Sequence, residues 1–170
     1  MEFRLAVESD VDNIMDIIKQ AQNYLKNQGI DQWQDNYPNY ETIKNDIKNN
    51  NCYVLLKDNT IVGTVAAIFG EEITYKNIYN GEWLSDKEYV TIHRLAISSD
   101  YKGLGLSSII LNKIEELCIS KNIYSIRVDT HEKNLSMQNF LRKAGFQYCG
   151  IIYLENDDKR IAFEKIIDKQ

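Results

Sequence analysis

Apolar residues recur along this chain with two different periods, and the switching between them outlines the elements. Residues 3–7, FRLAV, form a short apolar run that reads as a first strand. Ser9 followed by Asp12 resembles a capping box. Val11, Ile14, Met15, Ile18, Ala21 and Leu25 then repeat at i, i+3, i+4 spacing, the stripe of an amphipathic helix that Gly29 would stop. Residues 29–38, GIDQWQDNYP, are polar apart from a few side chains such as Trp33 and Tyr37 and end at the only proline; a short helix carrying Ile43 and Ile47 follows. Residues 52–57, CYVLLK, and 61–69, IVGTVAAIF, are strand-like runs, and Asp58-Asn59-Thr60 between them makes them an antiparallel hairpin.

Residues 70–87 turn polar, with Tyr75, Tyr79 and Trp83 scattered through them, and predict an extended loop. Beyond it a strand at 89–97, a helix at 104–121, a strand at 124–129 and a helix at 135–144 alternate, and strands at 147–154 and 160–166 close the chain. Strand–helix–strand units join parallel strands, so the pattern predicts an α/β fold, a mixed sheet with helices on its faces. No repeat, linker or composition shift divides the 170 residues, which predicts one domain over 1–170.

Composition narrows the class. One proline and eight glycines with 44% hydrophobic residues exclude collagen-like and disordered chains. A chain of this length buries roughly 70% of its unfolded surface and needs no disulfide or metal staple. Cys52, Cys118 and Cys149 are odd in number and far apart, with no histidine at ligand spacing, so they read as buried free thiols and no metal site is expected. The start lacks a basic stretch leading into an apolar run, and no segment reaches about 18 consecutive apolar residues, so a cytoplasmic protein outside the membrane is expected. Twenty Lys and Arg against 25 Asp and Glu, with no basic cluster, argue against nucleic-acid binding and favour a cationic or neutral partner.

The most informative stretch is HRLAISSDYKGLGLSSIILNKIEEL, residues 93–117. A strand ends in polar residues, and Lys102, Gly103, Leu104, Gly105, Leu106, Ser107 and Ser108 then open a helix. Free amides and the positive dipole end at a helix start hold an anion, and glycines let phosphate oxygens reach the backbone. A tight turn with close packing accounts for the same glycines. A dinucleotide fingerprint would place a third glycine at Ser108, and a P-loop would close in Gly-Lys-Ser/Thr; neither is present.

This stretch resembles the signature of the GNAT superfamily of N-acetyltransferases, Gln/Arg-x-x-Gly-x-Gly/Ala at a helix start, on Lys102, Gly105 and Ser107. A second block, residues 126–154, resembles the family's strand, Asn, helix ending Gly-Phe, and strand, through Asn134 and Gly145-Phe146. Together with the first half, the resemblance runs from about residue 3 to 166. It implies a mixed, mostly antiparallel sheet of about six to seven strands flanked by about four helices, with a parallel pair splayed at the cofactor site. It also implies acetyl-coenzyme A as co-substrate and a homodimer as one arrangement.

The resemblance implies roles residue by residue. The Leu95 backbone N–H would polarise the acetyl carbonyl, and Ala96 and the Ile97 backbone would line the pantetheine arm. Residues 102–108 and Asn134 would hold the remainder of the cofactor. Phe140, three residues after Met137, is expected in the core and against the cofactor. The family's usual acid, a tyrosine four residues before the glycine of Gly-Phe, is Leu141 here, which leaves a thiolate departing without a dedicated acid, a tyrosine from elsewhere such as Tyr148 or Tyr153, or loss of activity, with the first favoured.

An amine with a pKa near 10.4 needs roughly 4–5 kcal/mol to expose its lone pair at pH 7, so a base or a desolvating site must supply it. Alternation along 89–97 puts Thr91, His93, Leu95 and Ile97 on one face, with His93 either the base or a structural histidine. Asp129, His131 and Glu132 stand at a strand end: Asp129 and Glu132 would hold a cationic acceptor and His131 would contact it or serve as an alternative base, or the three form a surface turn. Trp33 and Tyr37 would contact the acceptor or simply pack. Small amines, polyamines, amino acids, antibiotics and protein amino termini all fit as acceptors. A catalytically silent coenzyme A-binding or regulatory domain, and a nucleotide-binding module of another fold, are the readings of other classes.

Overall fold

The computed structural model describes residues 1–168. Among the described residues seven strands form one sheet in the order β1-β2-β3-β4-β5-β7-β6, with four α-helices. The strands are β1 (Glu2–Leu5), β2 (Cys52–Lys57), β3 (Thr60–Phe69), β4 (Val90–Ile97), β5 (Ser125–Thr130), β6 (Gln147–Tyr153) and β7 (Lys159–Ile166). The helices are α1 (Val11–Asn27), α2 (Tyr40–Lys48), α3 (Leu106–Ser120) and α4 (Leu135–Lys143). β4 and β5 are parallel, Val90 opposite Ile126 and Thr91 opposite Arg127, whereas β1–β2, β2–β3, β5–β7 and β6–β7 are antiparallel. The mixed sheet expected from the alternating pattern is therefore present. The chain divides into two compact units, Met1–Ile68 with Ile92–Ile114, and Phe69–Thr91 with the chain from Glu115 onward.

In the first unit, α1 and α2 lay their apolar stripes on the sheet. Ile14, Met15, Ile17 and Ile18 of α1 and Ile43 of α2 pack with Val54 and Leu56 of β2 and Ala96 of β4. Ile17 widens the expected stripe, as a core-facing helix requires. The entry to α1 differs from the Ser9–Asp12 expectation. A 3-10 turn, Glu8–Asp10, precedes the helix. The Val7 N–H donates to the Asp10 carboxylate at 2.8 Å, and the Asp10 N–H donates back to the Val7 carbonyl at 2.9 Å. The reciprocal pair thus lies two residues earlier, because Arg4 on β1 also donates to Asp10 at 2.8 Å and selects that carboxylate. The β2–β3 hairpin turns on two residues: Asp58 and Asn59 both have positive φ, 49° and 64°, the mirror-image turn that matches strand twist. On β3, a Cβ added to Gly63 would lie 2.9 Å from Ile97 Cδ1 and 3.0 Å from Ile110 Cδ1, so β3, β4 and α3 meet there.

In the second unit the expected open loop at 70–87 is an organised cover. β5 alternates Ile126 and Val128 with Ser125, Arg127 and Asp129, so one face of it is polar, with Ser125 and Arg127 buried. The cover satisfies that face. Leu84 N–H donates to Glu164 of β7 at 2.7 Å, Arg127 donates to the Ser85 carbonyl at 2.5 Å, and Trp83 Nε1 donates to the Tyr75 carbonyl at 2.9 Å. Arg127, opposite Glu164 in the β5–β7 register, donates to it at 3.2 Å. Its guanidinium lies 4.2 Å from the Trp83 ring centroid and 4.0 Å from that of Tyr89. Tyr79 adds a two-bond bridge to Ile151 on β6. The cover and Arg127 line an open pocket of about 640 Å³ whose walls include Glu71, Trp83 and Tyr89.

Cys52, Cys118 and Cys149 are buried free thiols, as expected. Burial pushes them up to about 11, about 12 and about 11 respectively.

Two outcomes follow for stability. Raised thiol values favour the folded state fully below the ordinary thiol value near 9, and that contribution is lost as pH rises through 11 to 12. A thiol reagent at pH 8 should leave all three cysteines unmodified in the folded protein and label all three in denaturant; rapid labelling without denaturant would contradict this burial. Arg4 and the Val7 amide hold the Asp10 carboxyl below its usual range, so its contribution is present above pH 4 and lost as pH falls. Asp10→Asn should cost about 1–2 kcal/mol at pH 7 in urea titrations, and the difference should shrink towards pH 3.

Candidate active site

The site residues of the first unit lie on β4 and the segment after it. β4 does not alternate as a regular strand would. Arg94 has φ +53°, the left-handed region, so the pleat is interrupted between His93 and Leu95, and the simple two-face reading of Thr91, His93, Leu95 and Ile97 fails there. A non-glycine residue in this region costs on the order of 1–3 kcal/mol and persists where surrounding contacts over-determine it. Here the contacts are explicit. Arg94 donates from Nε and Nη2 to the two carboxylate oxygens of Asp46 at 2.7 and 2.8 Å, and from Nη1 to the Tyr37 hydroxyl at 2.9 Å. The Arg94 and Asp46 side chains are 11% and 10% exposed, so this is a desolvated ion pair. His93, Leu95 and Ile97 are half-buried and Ala96 is buried in the α1–α2 core.

After β4, Ser99 N–H and its hydroxyl both donate to the Gln20 side chain of α1, at 2.8 and 2.7 Å, and a 3-10 turn, Ser99–Tyr101, leads into the glycines. Gly103 and Gly105 have φ +80° and +74°, and a Cβ built on either would meet no atom within 4 Å. Positive φ explains why glycine is used, and the space in front of both is open. The first-turn amides of α3, which begins at Leu106, have no acceptors within their own helix. Leu106 is buried and anchors the turn, Leu104 is 57% exposed, Ser107 is half-buried and Ser108 exposed. Open space beside the glycines and the free amides of a helix start suit the oxygens of an anionic group such as a phosphate. The Lys102 ammonium stands 4.2 Å from the Tyr24 ring centroid of α1.

Of the two proposed acceptor aromatics, Tyr37 is 46% exposed and held by Arg94, while Trp33 packs partly into the α1–α2 core. Arg94, Asp46 and Tyr24 were not singled out from the sequence. An arginine facing a lone aspartate 48 positions away carries no periodic signal.

The second unit holds the remaining candidates. Asp129, at the end of β5, accepts from the Tyr75 hydroxyl at 2.5 Å. Burial and the Asp129 charge push the Tyr75 phenol well above its usual value. His131 Nδ1 accepts from the Lys133 N–H at 3.0 Å in the turn that follows. Glu132 pairs with Lys159 at 3.1 Å in an exposed bridge. Asn134 caps α4, accepting from the Met137 N–H at 3.2 Å. Phe140 is half-buried and Leu141 buried, so α4 presents no hydroxyl at the position of the usual acid.

These features meet independent comparisons. Residues 16–146 match the sequence model of the Acetyltransferase (GNAT) family. A GNAT-family acetyltransferase of Streptococcus agalactiae 2603, solved by crystallography, is 39% identical, with a TM-score of 0.91 over 99% of this chain and 96% of that one. The N-acetyltransferase YesJ of Bacillus subtilis (strain 168), itself uncharacterized, is 22% identical over 147 residues, 85% of this chain and 81% of its own length. The PaiA N-acetyltransferase of Thermoplasma acidophilum, solved in complex with coenzyme A, shares the fold at a TM-score of 0.71 and 16% identity, covering 97% of this chain and 98% of that one. The chain belongs to the acetyltransferase (GNAT) family, and it is an acyltransferase.

Proposed function

We propose that this chain acts as a single catalytic domain, an N-acetyltransferase that passes the acetyl group directly to an amine acceptor bound at the same time as acetyl-coenzyme A. The observation that carries the reading is the pair of left-handed glycines, Gly103 and Gly105, whose open faces precede the start of α3. In this reading residues 102–108 and Asn134 hold the cofactor, with Phe140 packing beside it, and Leu95, Ala96 and Ile97 line its pantetheine arm. The bound co-substrate supplies an activated acetyl thioester.

The protein supplies the proton and charge management. The Leu95 N–H donates to the carbonyl oxygen as that oxygen gains charge. His93 takes the proton from the attacking nitrogen, directly or through one water, while the N–C bond forms and the C–S bond breaks. With leucine at position 141, the sulfur departs as thiolate without a tyrosine from α4. Asp129, His131, Trp33 and Tyr37 are the proposed acceptor contacts, and the carboxylate of Asp129 suits a cationic amine. Three unpaired thiols fit a reducing, cytoplasmic compartment.

Two measurements test this. Thermal melting with acetyl-coenzyme A, coenzyme A, ATP and NAD in parallel should show stabilisation by the two coenzyme A forms only. At about 100 times the dissociation constant the gain is about 2.7 kcal/mol, a rise of roughly 5–10 °C. Gly105→Ala, strained at φ +74°, should lose most of that rise; equal rises with ATP or NAD would sink the assignment. Once an amine panel has identified an acceptor, His93→Gln should lower turnover at least about 100-fold with acetyl-coenzyme A binding intact. Turnover within twofold of wild type would remove His93 from the mechanism.

A further inference from the structure

We propose that Arg94 is a positioning residue for acetyl transfer: its guanidinium, shared by Asp46 of α2 and Tyr37, holds β4 in the left-handed conformation that aims the Leu95 amide. This rests on the proposed role of that amide at the acetyl carbonyl. Arginine has no intrinsic preference for φ +53°, and mid-strand it gives up regular pleat geometry by adopting it. Its side chain supplies the compensation. All three nitrogens of the fork are engaged, two on one carboxylate and one on a phenol, at 2.7 to 2.9 Å.

The anchor is rigid on one side and adaptable on the other. Asp46 is on α2, which Ile43 pins into the core with the α1 stripe. Tyr37 lies in the segment between α1 and α2, with nearly half its surface open to solvent. A single buried cation therefore ties the backbone kink beside Leu95 to the segment proposed to meet the acceptor. Lysine cannot reproduce this, because an ammonium is a point charge and lacks the planar fork that engages both carboxylate oxygens and the phenol together. A shift of about 1 Å in a positioned donor is enough to cost about 100-fold in rate, so small relaxation of the kink would be visible in catalysis.

The experiment reads the carbonyl itself. Infrared difference spectra of protein-bound acetyl-coenzyme A, labelled with carbon-13 at the thioester carbonyl, are compared for wild type, Arg94→Lys, Arg94→Gln and Tyr37→Phe. Coenzyme A affinity by calorimetry and the melting temperature serve as controls for fold and for the glycine loop. Wild type should show the thioester stretch lowered relative to solution. Arg94→Lys and Arg94→Gln should move it at least halfway back while coenzyme A affinity stays within about twofold. Tyr37→Phe removes one of the three bonds at a half-exposed position and should give a smaller displacement in the same direction. Should Arg94→Gln fail to fold, the lysine and phenylalanine variants carry the test. A lowered stretch that persists unchanged in Arg94→Lys and Tyr37→Phe overturns the proposal and leaves the function standing. A wild-type protein that binds acetyl-coenzyme A without lowering the stretch overturns the Leu95 role and the clamp together, and failure to bind it overturns the function as well.

Discussion

A guanidinium withdrawn from water is costly unless fixed partners meet it, and each of the two units holds such a group with several of its bonds satisfied. In the first, Arg94 is satisfied by Asp46 and Tyr37. In the second, Arg127 is satisfied by Glu164, the Ser85 carbonyl and the faces of Trp83 and Tyr89. Removing one partner of a buried pair leaves an uncompensated charge, at a cost of about 3–5 kcal/mol. That penalty, more than the pairs' net attraction, explains why irregular backbone is held in one conformation around them. β4 keeps a left-handed residue in its middle, and an 18-residue polar stretch at 70–87 becomes an ordered cover.

The glycine loop before α3 follows a different logic, in which backbone conformation and open space, not a buried charge, set the local geometry. Gly103 and Gly105 open the space, α3 begins at Leu106, and the serines stand partly exposed beside them. Lys102, the cation at the motif's first position, rests on the Tyr24 ring. A site built from amides and a helix dipole tolerates side-chain change. Serine at 107 in place of glycine or alanine is therefore compatible with the fold of α3.

Much of this architecture is legible in the sequence, for identifiable reasons. Elements with strong periodicity, such as α1, the β2–β3 hairpin and the closing strands, lie within a few residues of their expected bounds. The departures share a cause. The α1 cap moved to Asp10 because Arg4, on a strand, reaches it. The face alternation of β4 fails at Arg94 because a helix carboxylate 48 residues away holds it. Residues 70–87 read as a loop because their partners, Asp129, Arg127 and Glu164, are distant in sequence.

By itself the sequence determined the order and type of the elements, the glycine loop at the start of α3 and the absence of a tyrosine at position 141. These are local properties, set by periodicity, by φ preference and by the presence or absence of a hydroxyl. Tertiary structure alone decided which polar groups are buried together, where the backbone of β4 leaves its pleat, and which carboxylate each arginine meets. Those choices turn on desolvation, which depends on what surrounds a group in space, and residues next to one another in sequence carry little information about that.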